Sequence, residues 1–168
     1  MEFDKVIRER TATRKFQNKI VEKEKLEKIL EAGRIAPTAK NIQPQVIYVL
    51  QSKEAIEKIE EASPCIYQSK TVLLICSNKE IAYHTEEDST YEMDACIVAT
   101  HMMLAATNLG VDNVWIKRFD KDIVRKNFNI PEKLEPICLM PLGYRTSDCP
   151  ENPNHHIRKS LEDMIIYQ

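Results

Sequence analysis

Four short clusters in this 168-residue chain hold the residue types from which a site could be built. Arg8, Arg10, Arg14 and Lys15 crowd the end of a first helical segment. A guanidinium offers a rigid fork of donors that fits phosphate, and two of them can clamp a dianion. Glu2, Asp4 and Glu9 are close by in sequence, so a solvated, self-compensated basic patch explains the same composition. The loop Ala36-Pro37-Thr38-Ala39-Lys40-Asn41-Ile42-Gln43-Pro44 is stiffened by two prolines. Its Thr38, Asn41 and Gln43 present donors and acceptors suited to a heteroaromatic edge, although helix-to-strand loops use such residues routinely.

The third cluster is Trp115-Ile116-Lys117-Arg118-Phe119-Asp120, directly after a short apolar run. Its plain reading is a core tryptophan followed by a helix with Asp120 as N-cap. The fourth is His155-His156-Ile157-Arg158-Lys159. Adjacent histidines rarely converge on one ion and no cysteine or carboxylate ligand is evident, so no metal site is expected. A basic segment docking on phosphate, or a solvated tail, fits better.

No side chain is expected to act as a catalytic residue. G-x-S-x-G is absent and no cysteine has an activating local context. Gly33, Gly110 and Gly143 are the only glycines, so a dinucleotide fingerprint and a Walker loop are absent too. The chemistry is therefore assigned to a cofactor, with cationic side chains holding any phosphate it carries.

The elements that must position these clusters follow from periodicity. Phe3, Val6 and Ile7 predict a first helix ending near Arg10, and Leu26, Ile29, Leu30 and Gly33 a second. Ala36-Pro37 stops the second, because the residue before proline avoids the helical region. Val46–Leu50 and the doubly apolar Thr71–Cys76 read as strands, with a charged helix over Lys53–Ala62 between them. Tyr91–Leu109 is the longest helix, apolar nearly all round from Asp94 to Ala106, and so buried in a core or a subunit interface. Gly110 caps it. A strand over Val114–Ile116, a helix from Asp120 to Asn127, a strand over Ile137–Leu142 interrupted by Pro141 and a last extended segment, Met164–Tyr167, complete the pattern. Strands interleaved with helices of unequal length indicate an α+β domain.

Composition excludes several classes. Twenty-four basic against 26 acidic residues give a charge of −2, so no global field draws nucleic acid or an anionic membrane. Five widely spaced cysteines without C-x-x-C argue against a disulfide framework and for a reducing cytosol. No signal peptide or membrane span is evident, and a cytoplasmic soluble protein is expected.

Taken in order, the clusters resemble the nitroreductase family. R-R-S-x-R-x-F corresponds to Arg10-Thr11-Ala12-Thr13-Arg14-Lys15-Phe16, and A-P-S-x-x-N-x-Q-P to Ala36 through Pro44. A long helix running into L-G-hydrophobic and W-I corresponds to Asp94 through Leu109-Gly110-Val111 and Trp115-Ile116. P-x-G-[YH] corresponds to Pro141-Leu142-Gly143-Tyr144, and R-x-x-L-E-[ED] to Arg158 through Asp163.

The resemblance implies a single nitroreductase-like flavin-binding domain over residues 1–168. Its central mixed sheet would be flanked by helices in an intertwined homodimer, with FMN in two interfacial clefts. By position, Arg10, Thr11, Ala12 and Arg14 would hold the FMN phosphate and ribityl chain, and His156 and Arg158 would close on the same phosphate. Pro37, Thr38, Ala39 and Asn41 would approach from the partner subunit, and backbone near Ile116, Lys117 and Arg118 would face the ring. The implied activity is ping-pong transfer from NADH or NADPH to nitroaromatics, quinones or similar electron-poor acceptors. Flavin binding without efficient turnover, or a specialised reaction such as dehalogenation, are the alternatives. Ala12 stands where serine is usual and Arg118 where a small residue is common. An amide side chain near the pyrimidine edge, before Thr71, has no clear counterpart.

Overall fold

The computed structural model describes residues 2–168. Four strands form one sheet: β1 (Gln45–Leu50), β2 (Thr71–Asn78), β3 (Asp112–Asn113) and β4 (Leu134–Gly143), in the spatial order β1-β2-β4-β3. Every ladder is antiparallel. Parallel pairing among the described residues is confined to an isolated bridge between Ala12 and Asn113, so the expected mixed sheet reduces to that contact.

The two central strands are covered on both faces, which explains their unbroken apolar sequence. Along β2, Leu73 and Ile75 enter one core while Val72, Leu74 and Cys76 enter the other, as two-residue alternation requires. Ile75 opposes Cys138 but Cys76 opposes Pro136, leaving Ile137 as the extra residue of a bulge. Ile137 and Cys138 therefore both face the first core. Pro141 does not end β4; it lacks an N–H but its carbonyl still accepts from Val114 N at 3.3 Å.

Helices α2 (Lys23–Arg34) and α4 (Tyr91–Asn108) cover one face, and α3 (Lys53–Ala62) and α5 (Lys121–Phe128) the other, with α1 (Phe3–Glu9) against α4. Ile29 of α2 and Ile59 of α3 have no exposed surface, and each such burial contributes about 1.5–3 kcal/mol. Local signals set the ends. Asp120 accepts from the N–H groups of Asp122 and Ile123 as the N-cap of α5, as expected. Gly110 takes φ +69° after α4, where Val111 N donates to Ala106 O and Gly110 N to Thr107 O.

Two extended segments differ from expectation. The strand placed at Val114–Ile116 lies earlier, at Asp112–Asn113, and Ile116 makes only an isolated bridge to Leu139. Met164–Tyr167 forms no strand: Met164, Ile166 and Tyr167 are exposed, with no neighbouring edge to pair with.

Candidate functional site

The segment from Arg10 to Phe16 is laid against the sheet margin. Ala12 bridges Asn113, Thr13 N donates to Asn113 O at 3.0 Å, and Phe16 N donates to Tyr67 O at 3.2 Å. Buried Thr13 turns its hydroxyl to Asp112 at 3.2 Å, and Thr11 Oγ1 is buried on the same side with no partner. An extended chain then turns Arg10, Ala12 and Arg14 the other way. Ala12 packs against the α3/α5 core, which a serine hydroxyl would disturb.

The basic patch divides into two kinds of cation. Arg8 pairs with Asp4 at 2.9 Å, Lys15 with Asp148, and Arg145 with Asp112 at 2.8 Å, so for these the compensated-surface reading holds. Among the described residues, no ion pair engages Arg10, Arg14 or Arg158. Half-burial, and then the like charge of Arg158, lowers the Arg10 pKa below its ordinary value. Two guanidiniums from opposite ends of the chain are thus near enough for their charges to interact, and neither has a counter-ion among the described residues. Arg158 Nη1 meets only backbone, donating to Ile157 O at 2.7 Å.

Two cavities flank this segment. One of about 580 Å³ is lined by Arg8, Thr11, Asn113, Arg145, His155 and His156. His156 Nε2 lies 3.2 Å from Glu151 Oε1. Inside the same cavity Asn113, 1% exposed, uses its amide N–H groups within the fold and leaves Oδ1 without a partner. The second, about 500 Å³, is lined by Arg14, Ser63, Tyr67 and Gln68 among others. Burial raises the Tyr67 phenol, while Arg14 and Arg118 are near enough to oppose that shift. Ser63 Oγ donates to Arg118 O at 2.8 Å and fixes the start of the 118–120 turn. Gln68, in the left-handed region at φ 65°, is an amide side chain between α3 and Thr71. Its single-residue signal was invisible without the cavity.

The loop from Ala36 to Pro44 is built differently from its neighbours. Lys40, Asn41 and Gln43 take φ of 49°, 54° and 56°. Gln43 N donates to Thr38 Oγ1 at 3.0 Å and Asn41 N to Thr38 O at 2.9 Å. Pro44 O accepts from Asn78 N at 2.8 Å, joining the loop to β2, and Lys40 sits 4.3 Å from the centre of the Tyr83 ring. Asp94, read from sequence only as the start of the apolar stretch of the long helix, accepts from Ala39 N at 2.8 Å. Ile116 is buried while Lys117 and Arg118 are exposed, with Lys117 Nζ 3.9 Å from Glu92. Among the described residues, no hydrogen bond or ion pair joins Pro37, Thr38, Ala39 or Asn41 to Arg10, Arg14, His156 or Arg158.

This geometry can be set beside known proteins. The model of the Nitroreductase family matches residues 7–65 and 62–144. A nitroreductase family protein from Clostridium difficile 630 superposes with TM-score 0.93 at 39% identity, covering 100% of this chain and 99% of its own. A Methanothermobacter thermautotrophicus protein carrying an NADH dehydrogenase/NAD(P)H nitroreductase name is 28% identical over 160 residues, 91% of this chain and 80% of that one. A nitroreductase-named chain from Exiguobacterium sibiricum 255-15, solved in complex with FMN, shares the fold at 18% identity, with TM-score 0.86 over 100% of this chain and 98% of its own. With the matched stretches reaching from α1 through β4, and the fold reproduced over its full length, the chain belongs to the nitroreductase family.

Proposed function

We propose that the protein is a single-domain, homodimeric, FMN-dependent NAD(P)H oxidoreductase that reduces electron-poor acceptors such as nitroaromatics or quinones. The observation that carries this reading is that half-buried Arg10 is near enough to Arg158 to feel its charge, while neither takes part in an ion pair among the described residues. A half-buried guanidinium with an exposed one nearby, both without counter-ions, fits a dianionic phosphate. The buried, unpartnered Thr11 hydroxyl lies on the other side of the same segment, beside the cavity lined by His156, and adds no bond to a phosphate held by Arg10 and Arg14. The FMN in the E. sibiricum structure and the NAD(P)H in the name of the M. thermautotrophicus relative support the cofactor and the reductant.

Arg10, Arg14 and Arg158 would hold the phosphate, with Ala12 on their side of the segment and Thr11 and His156 lining the cavity on the other. Ile116, Lys117 and Arg118 form the floor beside the ring, and Pro37, Thr38, Ala39 and Asn41 come from the partner subunit. When bound, FMN supplies two-electron chemistry, accepting hydride from NADH or NADPH and delivering electrons to the acceptor. The chain's own residues bind, orient and exclude water; none needs to act as acid or base. Lys117 and Arg118, both exposed in the single chain, would put positive charge beside the ring, where electron density accumulates on reduction.

The dimer is supported by surface area. The described residues expose 10299 Å², against about 8,500 Å² for a compact monomer of this mass. Large apolar groups also face out, among them Phe3, Ile35 and Met93, and Leu161, Ile166 and Tyr167 in the tail. No helix among the described residues is long and apolar enough to cross a membrane. Five unpaired thiols support a reducing, cytoplasmic setting.

Anaerobic titration of the FMN-reconstituted protein with NADH and NADPH tests the activity. Bleaching of the flavin by one of them, followed by reoxidation with menadione, is the expected result. Flavin that neither nicotinamide reduces refutes the proposal.

A further inference from the structure

Asp94 is 2% exposed, a carboxylate withdrawn from water in the first turn of α4. Such burial is unfavourable unless the oxygens are fully used. Here one oxygen serves each of two donors. Oδ2 accepts from the Thr90 hydroxyl at 2.8 Å, and Oδ1 accepts from the backbone N–H of Ala39 at 2.8 Å. Thr90 is itself fixed, since its N–H donates to Tyr83 O at 2.9 Å and its carbonyl accepts from Asp94 N at 2.8 Å. The carboxylate also lies near the positive end of the α4 dipole.

What Asp94 grips is a strained piece of chain. Lys40, Asn41 and Gln43 are non-glycine residues in the left-handed region, a conformation that persists only where the surroundings impose it. Ala39 opens that stretch, and its N–H is tied directly to a helix of the core. Of the loop's other bonds, Asn41 N to Thr38 O and Gln43 N to Thr38 Oγ1 are internal, and Asn78 N to Pro44 O ties its far end to β2; the Ala39 amide is the point at which it is bonded to α4.

We infer that Asp94 is the positioning residue for the flavin-facing loop, holding Ala39 and hence Thr38 and Asn41 at the height that the bound cofactor requires. The inference rests on the flavin reading above. It assigns Asp94 no contact with substrate or cofactor; Asp94 acts through the Ala39 amide.

The test compares wild type with Asp94→Ala and Asp94→Asn. Asparagine keeps an acceptor for Ala39 N, and its amide can donate to a rotated Thr90 hydroxyl, so it preserves both bonds without the charge. Amide hydrogen exchange of Ala39 in the FMN-free protein and FMN affinity by fluorescence quenching are the two readouts. Asp94→Ala is expected to speed Ala39 exchange and to raise the FMN Kd, each by about tenfold or more, while Asp94→Asn stays within about twofold of wild type. Should Asp94→Ala fail to fold, Thr90→Val removes one of the two donors, and a smaller change in the same direction is expected. Unchanged Ala39 exchange in Asp94→Ala, or faster exchange with unchanged FMN affinity, overturns the role. Wild type that takes up no FMN overturns the flavin reading and this role with it. That result differs from failure of Asp94 alone, where wild type and Asp94→Ala bind FMN equally well.

Discussion

A Cβ on Gly33 would fall 2.8 Å from both Cγ and Sδ of Met102, so α2 and α4 touch where one of them carries no side chain. Met102 has no exposed surface and cannot swing aside into solvent. Gly33→Ala therefore sets overpacking, about 1–3 kcal/mol, against a helix-propensity gain of about 1 kcal/mol. The expected outcome is a net loss near ~1 kcal/mol, seen as a melting temperature lower by about 2–4 °C in a thermal scan. An unchanged or raised Tm would mean that the two helices can separate freely.

Arg10 and Arg158 supply the second prediction. Neither has a carboxylate partner among the described residues, so removing either leaves no buried charge orphaned. Arg10→Ala or Arg158→Ala is expected to leave the fold intact and to raise the FMN Kd by about 10- to 100-fold, the worth of a charge-assisted contact. Arg10→Ala with Arg14→Ala is expected to yield a colourless but folded dimer. Retention of flavin by that double variant contradicts the phosphate assignment.

The end of β4 is tied to the start of α2 at the surface. Glu22 accepts from Lys19 Nζ at 2.6 Å and from the Tyr144 hydroxyl, and these two bonds, in that order, hold its carboxyl down at about 2 from an ordinary value of 4.5. A folded pKa below the unfolded one contributes stability above about pH 4.5 that disappears as pH falls toward 2. Wild type should melt above Glu22→Gln at neutral pH, and the two curves of Tm against pH should merge near pH 2. A gap that stays constant over that window removes Glu22 from the acid response.

The five thiols should separate by burial. Cys76 is pushed up to about 12 by desolvation, and Cys138, with no exposed surface, is raised by the same cause. Both should resist a thiol reagent at pH 8 in the native protein and react only on unfolding. Half-buried Cys65 and Cys149 should label first, and Cys96, raised by burial, more slowly. Mass spectrometry of the labelled protein gives the order, and early modification of Cys138 would show that the sheet opens readily.

Met93 is 62% exposed on the outer side of α4. If that face meets a second copy, Met93→Lys should raise the dimer dissociation constant by about tenfold or more and lower flavin retention with it. Light scattering across a dilution series gives the mass. A variant that stays dimeric at wild-type concentrations moves the interface elsewhere.

Much of the fold was legible because its signals are local. The span Lys53–Ala62 coincides with α3, Asp120 caps α5, and Gly110 terminates α4, each through bonds within a few residues of chain. The short extended pieces were not legible. Asp112–Asn113 becomes a strand because β4 lies beside it, and Met164–Tyr167 has no such neighbour in the single chain. Pro141 read as an interruption because its missing N–H is local information, whereas the strand's continuity comes from pairing on both sides.

The sequence by itself determined which residue types were available: arginines near both ends, an amide-bearing proline loop, and an apolar helix long enough to anchor it. Only the tertiary structure decided which charges were left over. Among the described residues Arg8, Lys15 and Arg145 found carboxylates while Arg10, Arg14 and Arg158 did not, and Asp94 went to a backbone N–H 55 positions away. Periodicity and caps act over one or two turns of chain. A counter-ion is chosen by distance in space, and that distance exists only once the sheet has brought the ends together.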